Sequence, residues 1–176
     1  MAKIGNVWVF IEQEQGKIAG VSLQLVSKGR ELADRLGVKL EGILLGNNLS
    51  GCVDTLYHYG CDRVILAEDP RLEPFTVLPF AKVIMQLIRE HNPNILLFGA
   101  TLKGRELAPR IASEKRAGLT ADCTKLEIDP EEDHFEQVRS VVKILNYVQD
   151  ADVDDEIPPT SLVREFIGGN SFYRVS

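Results

Sequence analysis

The chain is 176 residues long, 44% hydrophobic and 26% charged, with a formal net charge of −6. That is enough for one domain to bury its own core, and the composition is that of an ordinary globular protein. No apolar run approaches the roughly 20 residues that cross a bilayer, and no basic patch precedes a long apolar stretch at the amino terminus, so neither membrane insertion nor a secretory leader is expected.

Val7–Ile11 is an uninterrupted apolar run rich in β-branched and aromatic types and reads as a buried first strand. Glu12 comes next, at its carboxyl end, where a carboxylate facing a crevice can hold a hydroxyl or an amide. The run Glu-Gln-Glu-Gln reads more simply as a solvated loop. Gln15, Gly16 and Lys17 lead into a helix whose buried face is Leu25, Val26, Gly29, Leu32, Ala33 and Leu36, ended by Gly37 as a left-handed cap. Residues 38–45 are the second strand, with Gly46-Asn47-Asn48 as the turn beyond it. Residues 53–59 form a small helix, with Val53, Leu56 and Tyr57 on one side, and residues 64–67 form the third strand.

Residues 74–91 carry Leu78, Ala81, Ile84, Met85 and Ile88 at helical spacing until Asn92-Pro93 stops them, and Met85 is read as a core filler. Residues 95–98 are a short apolar run, the pattern of a strand covered on both faces. A loop bearing Gly99, Thr101 and Gly104 comes after it, and a helical face resumes at Leu107, Ala108, Ile111 and Ala112. Proline lacks an N–H and is tolerated where a helix has not begun bonding backward, so Pro109 places the start of regular helix near Glu106 or Leu107, leaving residues 99–105 as a true loop. Strands alternating with helices call for right-handed crossovers and a doubly wound, mostly parallel sheet: a Rossmann-like three-layer α/β sandwich. In such a sheet ligands bind beyond the carboxyl ends of the strands, which puts Gly99 and Arg105 at that edge.

Beyond residue 128 the pattern changes. Residues 131–135 are an acidic loop, 138–142 and 144–148 are expected strands, and 150–156 form an acidic run closed by Pro158-Pro159, as in a solvated linker. Residues 1–124 carry 15 Lys/Arg against 14 Asp/Glu, whereas residues 125–176 carry 5 against 12, so the acidity lies in the last third. Clustered cations for a phosphate backbone are missing, and nucleic acid is not an expected partner. Cys52, Cys61 and Cys123 are an odd number without paired metal spacing, which reads as free thiols in a reducing cytoplasm. Cys52, His58 and Cys61 lie close in sequence, but no fourth ligand accompanies them and packing is the preferred reading.

Gly99-Ala-Thr101, then Gly104-Arg105-Glu-Leu-Ala-Pro109-Arg110, then Gly118-Leu-Thr120-Ala-Asp122-Cys-Thr124, together with Val7-Trp-Val-Phe-Ile-Glu12, resemble the amino-terminal domain of the electron-transfer flavoprotein alpha subunit, a fold of the adenine nucleotide alpha hydrolase-like type. The likeness covers roughly residues 3–129, which divides the chain into a family-like domain over 1–129 and a divergent acidic extension over 130–176. It implies a cofactor-binding crevice formed by Gly99, Thr101, Gly104, Arg105, Thr120 and Asp122. The alternative for Asp122 is that it caps a turn or pairs with Arg105 or Arg110. Gly168-Gly169-Asn170 resembles a glycine element of the family, with Arg164-Glu165 where relatives have Arg-Pro.

Full-length alpha subunits continue into a second domain that binds FAD, and the sequence here has no further stretch of that size. The resemblance therefore implies a non-catalytic scaffold that pairs with a beta subunit and supports flavin-mediated electron transfer, with a flavin dehydrogenase as indirect partner, and does not itself bind FAD. No nucleophile and base, carboxylate dyad or metal constellation is visible. Two other readings share the fold: an autonomous module binding AMP or another adenine nucleotide through the glycine loop, and an adenine-nucleotide hydrolase. A scaffold without its partner leaves an apolar surface wet, and a homo-oligomer is expected of the isolated chain.

Overall fold

The computed structural model describes residues 5–123, 143–147 and 172–174. In chain order the elements are β1 (Val7–Ile11), β2 (Gln13–Glu14), β3 (Lys17–Ile18), α1 (Gly20–Leu36), β4 (Leu40–Gly46), α2 (Val53–His58), β5 (Arg63–Glu68), α3 (Val77–His91), β6 (Ile95–Gly99), α4 (Leu102–Lys115), β7 (Leu119–Cys123), β8 (Lys143–Tyr147) and β9 (Phe172–Arg174). β1 is buried at every position, yet its side chains part by the two-residue period of a strand. Val7, Val9 and Ile11 face α1 and α2, packing with Leu25, Val26 and Leu56, whereas Trp8 and Phe10 face α3 and α4, packing with Phe80, Ile84 and Ile111.

Among the described residues, seven strands form one parallel sheet in the order β7-β8-β6-β1-β4-β5-β9. The chain leaves β1 toward β4 and β5 with its helices on one face, then returns to the other side of β1 at β6 with its helices on the opposite face. Reversing direction while keeping a right-handed crossover requires that change of face. The result is the doubly wound three-layer sandwich expected from the alternation of elements, and it places a topological switch point between β1 and β6.

Caps fall where the sequence puts them at two helix ends. Gly37 closes α1 at φ 64° and Asn92 closes α3 at φ 46°, both left-handed, and the Asn92 N–H returns to the Ile88 carbonyl. Two expectations need correction. Leu78 is 60% exposed; the buried stripe of α3 runs through Phe80, Ala81, Ile84, Met85 and Ile88, whereas Leu78, although it projects beside Met85, lies in the first turn of the helix.

The helix expected from Glu106 or Leu107 begins instead at Leu102, so only Ala100 and Thr101 connect β6 to α4, and Pro109 lies inside the helix. Thr101 sets that start: its backbone is extended, and its side chain accepts a hydrogen bond from the Gly104 N–H, capping the first turn. Pro109 removes one helical hydrogen bond, and the buried side chains of Leu107, Ala108 and Ile111 hold the helix together around it.

The expected strand over 144–148 is β8, which lies between β6 and β7. The expected strand over 138–142, the acidic run and Gly168-Gly169-Asn170 lie outside the described residues.

The amino edge of the sheet is fixed by a buried carboxylate. Glu41, 2% exposed, accepts from Trp8 Nε1 at 2.5 Å, Asn6 Nδ2 at 2.9 Å and Arg63 Nη1 at 3.3 Å. A buried charge with three donors is held by all of them, and removing one leaves part of its desolvation uncompensated. Trp8→Phe, which deletes the indole donor and some core volume, should lower unfolding stability by about 2–4 kcal/mol in urea titration; a loss below about 0.5 kcal/mol would show that the Trp8–Glu41 bond contributes little.

Candidate functional site

The crevice at the switch point opens between the carboxyl ends of β1 and β6. Glu12 bounds it on the β1 side, Ala100 and Thr101 on the β6 side. Glu12 is 6% exposed, and its Oε1 accepts a hydrogen bond from Thr101 Oγ1 at 2.7 Å across the crevice. Its backbone is held as well: the Glu12 N–H donates to Ser22 Oγ at 2.8 Å, and its carbonyl accepts from the Ala19 N–H at 2.9 Å.

The solvated-loop reading of Glu12 is thus overturned. The polar run does not trail into solvent; it folds back as a hairpin of β2 and β3 around Gln15 at φ 49° and Gly16 at φ 76°, a two-residue turn whose twist suits paired strands. That hairpin leaves Gln15 and Gly16 outside and Glu12 within.

The structure gathers part of the expected site. Gly99 ends β6 so close to Glu12 that a Cβ there would meet Glu12 Oε1 at 2.9 Å and Val21 Cγ2 at 3.2 Å, and a larger residue would push the carboxylate aside. Thr101 and Gly104 join them in the first turn of α4. Arg105 is one residue further along α4, with an exposed side chain and an N–H that donates to the Thr101 carbonyl at 2.9 Å. Thr120 is exposed on β7, separated from β6 by β8, and Asp122 lies on the same strand. The side chain of Asp122 lies outside the described residues, and with it the pairing with Arg105 or Arg110.

Sequence reasoning did not find the neighbours that complete this edge. Lys103 Nζ donates to the Gln13 carbonyl at 3.2 Å and sits 5.5 Å from the centre of the Phe75 ring, a cation over an aromatic face. Phe75 meets Phe80 edge-on at 4.8 Å, and Phe80 meets Phe10 at 6.2 Å, so a line of rings runs from the core to the surface. Beside them a cavity of about 370 Å³ opens, lined among others by Phe10, Glu12, Leu72, Phe75, Phe80 and Lys103. The helical spacing of α3 could have pointed to Phe80. Nothing in local sequence pairs Phe75 with Lys103.

Burial raises the pKa of Glu12 above the ordinary carboxylate value, and the Thr101 hydrogen bond and the nearby Lys103 ammonium oppose that shift in part. Burial also pushes the Cys61 thiol up to about 12, which leaves it protonated and inert, and the Cys52 thiol donates to the Gly16 carbonyl at 3.0 Å. Among the described residues no group of three His, Cys, Asp or Glu side chains could hold a metal, and no helix is long and apolar enough to cross a membrane.

A phosphate at the start of a helix needs free amide donors and a positive field. Here the Gly104 N–H is taken by Thr101 Oγ1, the Arg105 N–H by the Thr101 carbonyl, and a carboxylate stands opposite. These engaged amides and the Glu12 carboxylate disfavour a phosphate at this crevice.

Fold and crevice together define a doubly wound α/β domain of nucleotide-binding architecture whose switch point is closed by its own side chains. Residues 7–153 match the Electron transfer flavoprotein domain family, and the chain belongs to it. It is 48% identical over 126 residues to the electron transfer flavoprotein subunit alpha of Clostridium acetobutylicum, a match covering 72% of this chain and 38% of that protein. It is 45% identical to the protein FixB of Clostridium saccharobutylicum, covering 74% of this chain and 39% of that one. It is also 45% identical to the acryloyl-CoA reductase electron transfer subunit beta of Anaerotignum propionicum, covering 70% and 34%. The chain thus spans less than two fifths of the length of these relatives.

A raised carboxyl pKa means that the folded state binds the Glu12 proton more tightly than the unfolded chain. The stability this supplies is complete below the ordinary value of 4.5 and is lost as pH rises through the higher folded value. Glu12→Gln keeps an oxygen for Thr101 and removes the titration. Relative to the native chain, the variant should gain stability steadily from pH 4 to pH 7 in thermal melts at about those two values. A difference that is flat with pH, or that falls as pH rises, would contradict the buried carboxyl.

Proposed function

We propose that this chain is an alpha-type electron transfer flavoprotein scaffold domain: non-catalytic, paired with a beta-type subunit, and supporting flavin-mediated electron transfer without itself holding FAD. The observation that carries the reading is the Glu12–Thr101 hydrogen bond, which spans the crevice where this fold would otherwise grip a nucleotide. A carboxylate in that position disfavours phosphate, and the Gly104 and Arg105 amides are engaged by Thr101. Family membership supports the electron-transfer role, as do relatives whose names place them in electron transfer. In this reading the flavin carries the redox chemistry and this domain supplies placement, as protein does around a cofactor. Isolated copies associate through the surface that the partner otherwise covers.

The visible spectrum tests it. The chain purified alone is expected to be colourless, and oxidised-flavin bands are expected only after co-expression with a beta-type subunit and the remaining part of an alpha-type subunit. A stoichiometric flavin spectrum from the isolated chain would overturn the scaffold reading.

A further inference from the structure

The cavity beside Phe75 has no part in the scaffold reading. It is a recess formed by distant parts of the chain, among them the end of β1, the β2–β3 hairpin, the segment before α3 and the first turn of α4. Its volume of about 370 Å³ is at the small end of ligand pockets, which run from about 300 to 1,000 Å³, so it admits a small molecule and not a dinucleotide.

Three carboxylate residues line it, Glu12, Glu14 and Glu73, against one cation among the described lining residues, Lys103. The Lys103 ammonium is engaged by the Gln13 carbonyl and the Phe75 ring. Lys17 stands across the hairpin from Glu14 and Arg71 adjoins Leu72, but neither lines the cavity, and Arg71 is paired with Asp69. The wall therefore carries excess negative charge, which disfavours anions. Its apolar side is largely aromatic, from Phe10, Phe75 and Phe80.

Glu12 gives that charge a direction. The residue is 6% exposed and only one of its oxygens is committed: Oε1 accepts from Thr101 Oγ1, whereas Oε2 accepts no hydrogen bond from the described residues. A buried acceptor without a donor is costly, and an N–H placed in the cavity would satisfy it. Among the described residues no three side chains could hold a metal, which directs the charge toward an organic cation. Carboxylates and rings in one recess call for a ligand with both a positively charged donor and an apolar body.

We propose that the Phe75 cavity binds a small organic cation, an ammonium carried on an aromatic body, with the ammonium donating to Glu12, its charge balanced by Glu14 and Glu73, and the body against Phe75. The inference goes beyond the scaffold reading and does not rest on it.

Three probes that share one body and differ in charge test it: 2-phenylethylamine, 2-phenylethanol and phenylacetate, each titrated at pH 7.5 into the full chain and followed by amide chemical shifts. The amine is expected to give saturable shifts at Glu14, Glu73, Phe75 and Lys103, with an affinity about tenfold or more above that of the alcohol, and phenylacetate none. Glu12→Gln keeps an oxygen for Thr101 and puts a donor where Oε2 was, and it should weaken the amine about tenfold. Glu14→Gln with Glu73→Gln changes two exposed side chains, so the fold is kept, and it should weaken the amine severalfold. Glu90→Gln with Glu114→Gln alters net charge equally at the far ends of α3 and α4 and should leave affinity within about twofold. Equal binding of amine and alcohol, saturable binding of phenylacetate, or no saturable shift with the amine up to about 10 mM would each overturn the cation site. Native affinity in both cavity variants, or equal weakening in the remote pair, would overturn it as well.

Discussion

One hydrogen bond joins the parts of this fold that sequence keeps far apart: Glu12 at the end of β1 and Thr101 at the start of α4. Through its backbone Glu12 also binds Ser22 and Ala19 at the start of α1, and through its hydroxyl Thr101 caps α4 at Gly104. Two helix starts and two central strands thus meet at one buried carboxylate. The desolvation that raises the Glu12 pKa is the cost of that junction, offset by the hydroxyl donor and by Lys103. Gly99 is part of the same constraint, since only a residue without a side chain lets the carboxylate come so near β6.

The consequence for function is a displacement. Doubly wound sheets offer a switch-point crevice by virtue of topology, and whether a ligand binds there depends on the residues at the mouth. In this chain the mouth is filled by a carboxylate and its hydroxyl partner. The features that remain available lie one step along the same edge, where Glu14, Glu73, Phe75 and Lys103 are among the residues lining a cavity. Membership of the electron transfer flavoprotein domain family and a closed crevice are consistent with a domain that acts through its surface.

The architecture is legible in the sequence because it arises from local patterns. Continuous apolar runs at β1 and β6 require cover on both faces, helical stripes lie between them, and Gly37 and Asn92 mark the ends of helices. The errors arise where tertiary contacts override a local rule. Pro109 argues for a late helix start, but the Thr101 cap fixes an early one and buried neighbours hold the proline in place. Helical spacing places Leu78 on the buried face, but in the first turn of α3 it is exposed. Glu12 reads as solvated from its polar neighbours, because no local signal announces a partner 89 residues away. The same holds for Glu41, whose donors come from β1, β5 and the segment before β1.

The Glu12–Thr101 hydrogen bond across the crevice between β1 and β6 is proposed to keep nucleotide out. Amide chemical-shift mapping during titration with AMP tests it directly, with Gly99, Thr101, Gly104 and Arg105 as reporters. These amides are expected to stay unshifted in the native chain up to millimolar AMP. Saturable, localised shifts at those four residues would contradict it.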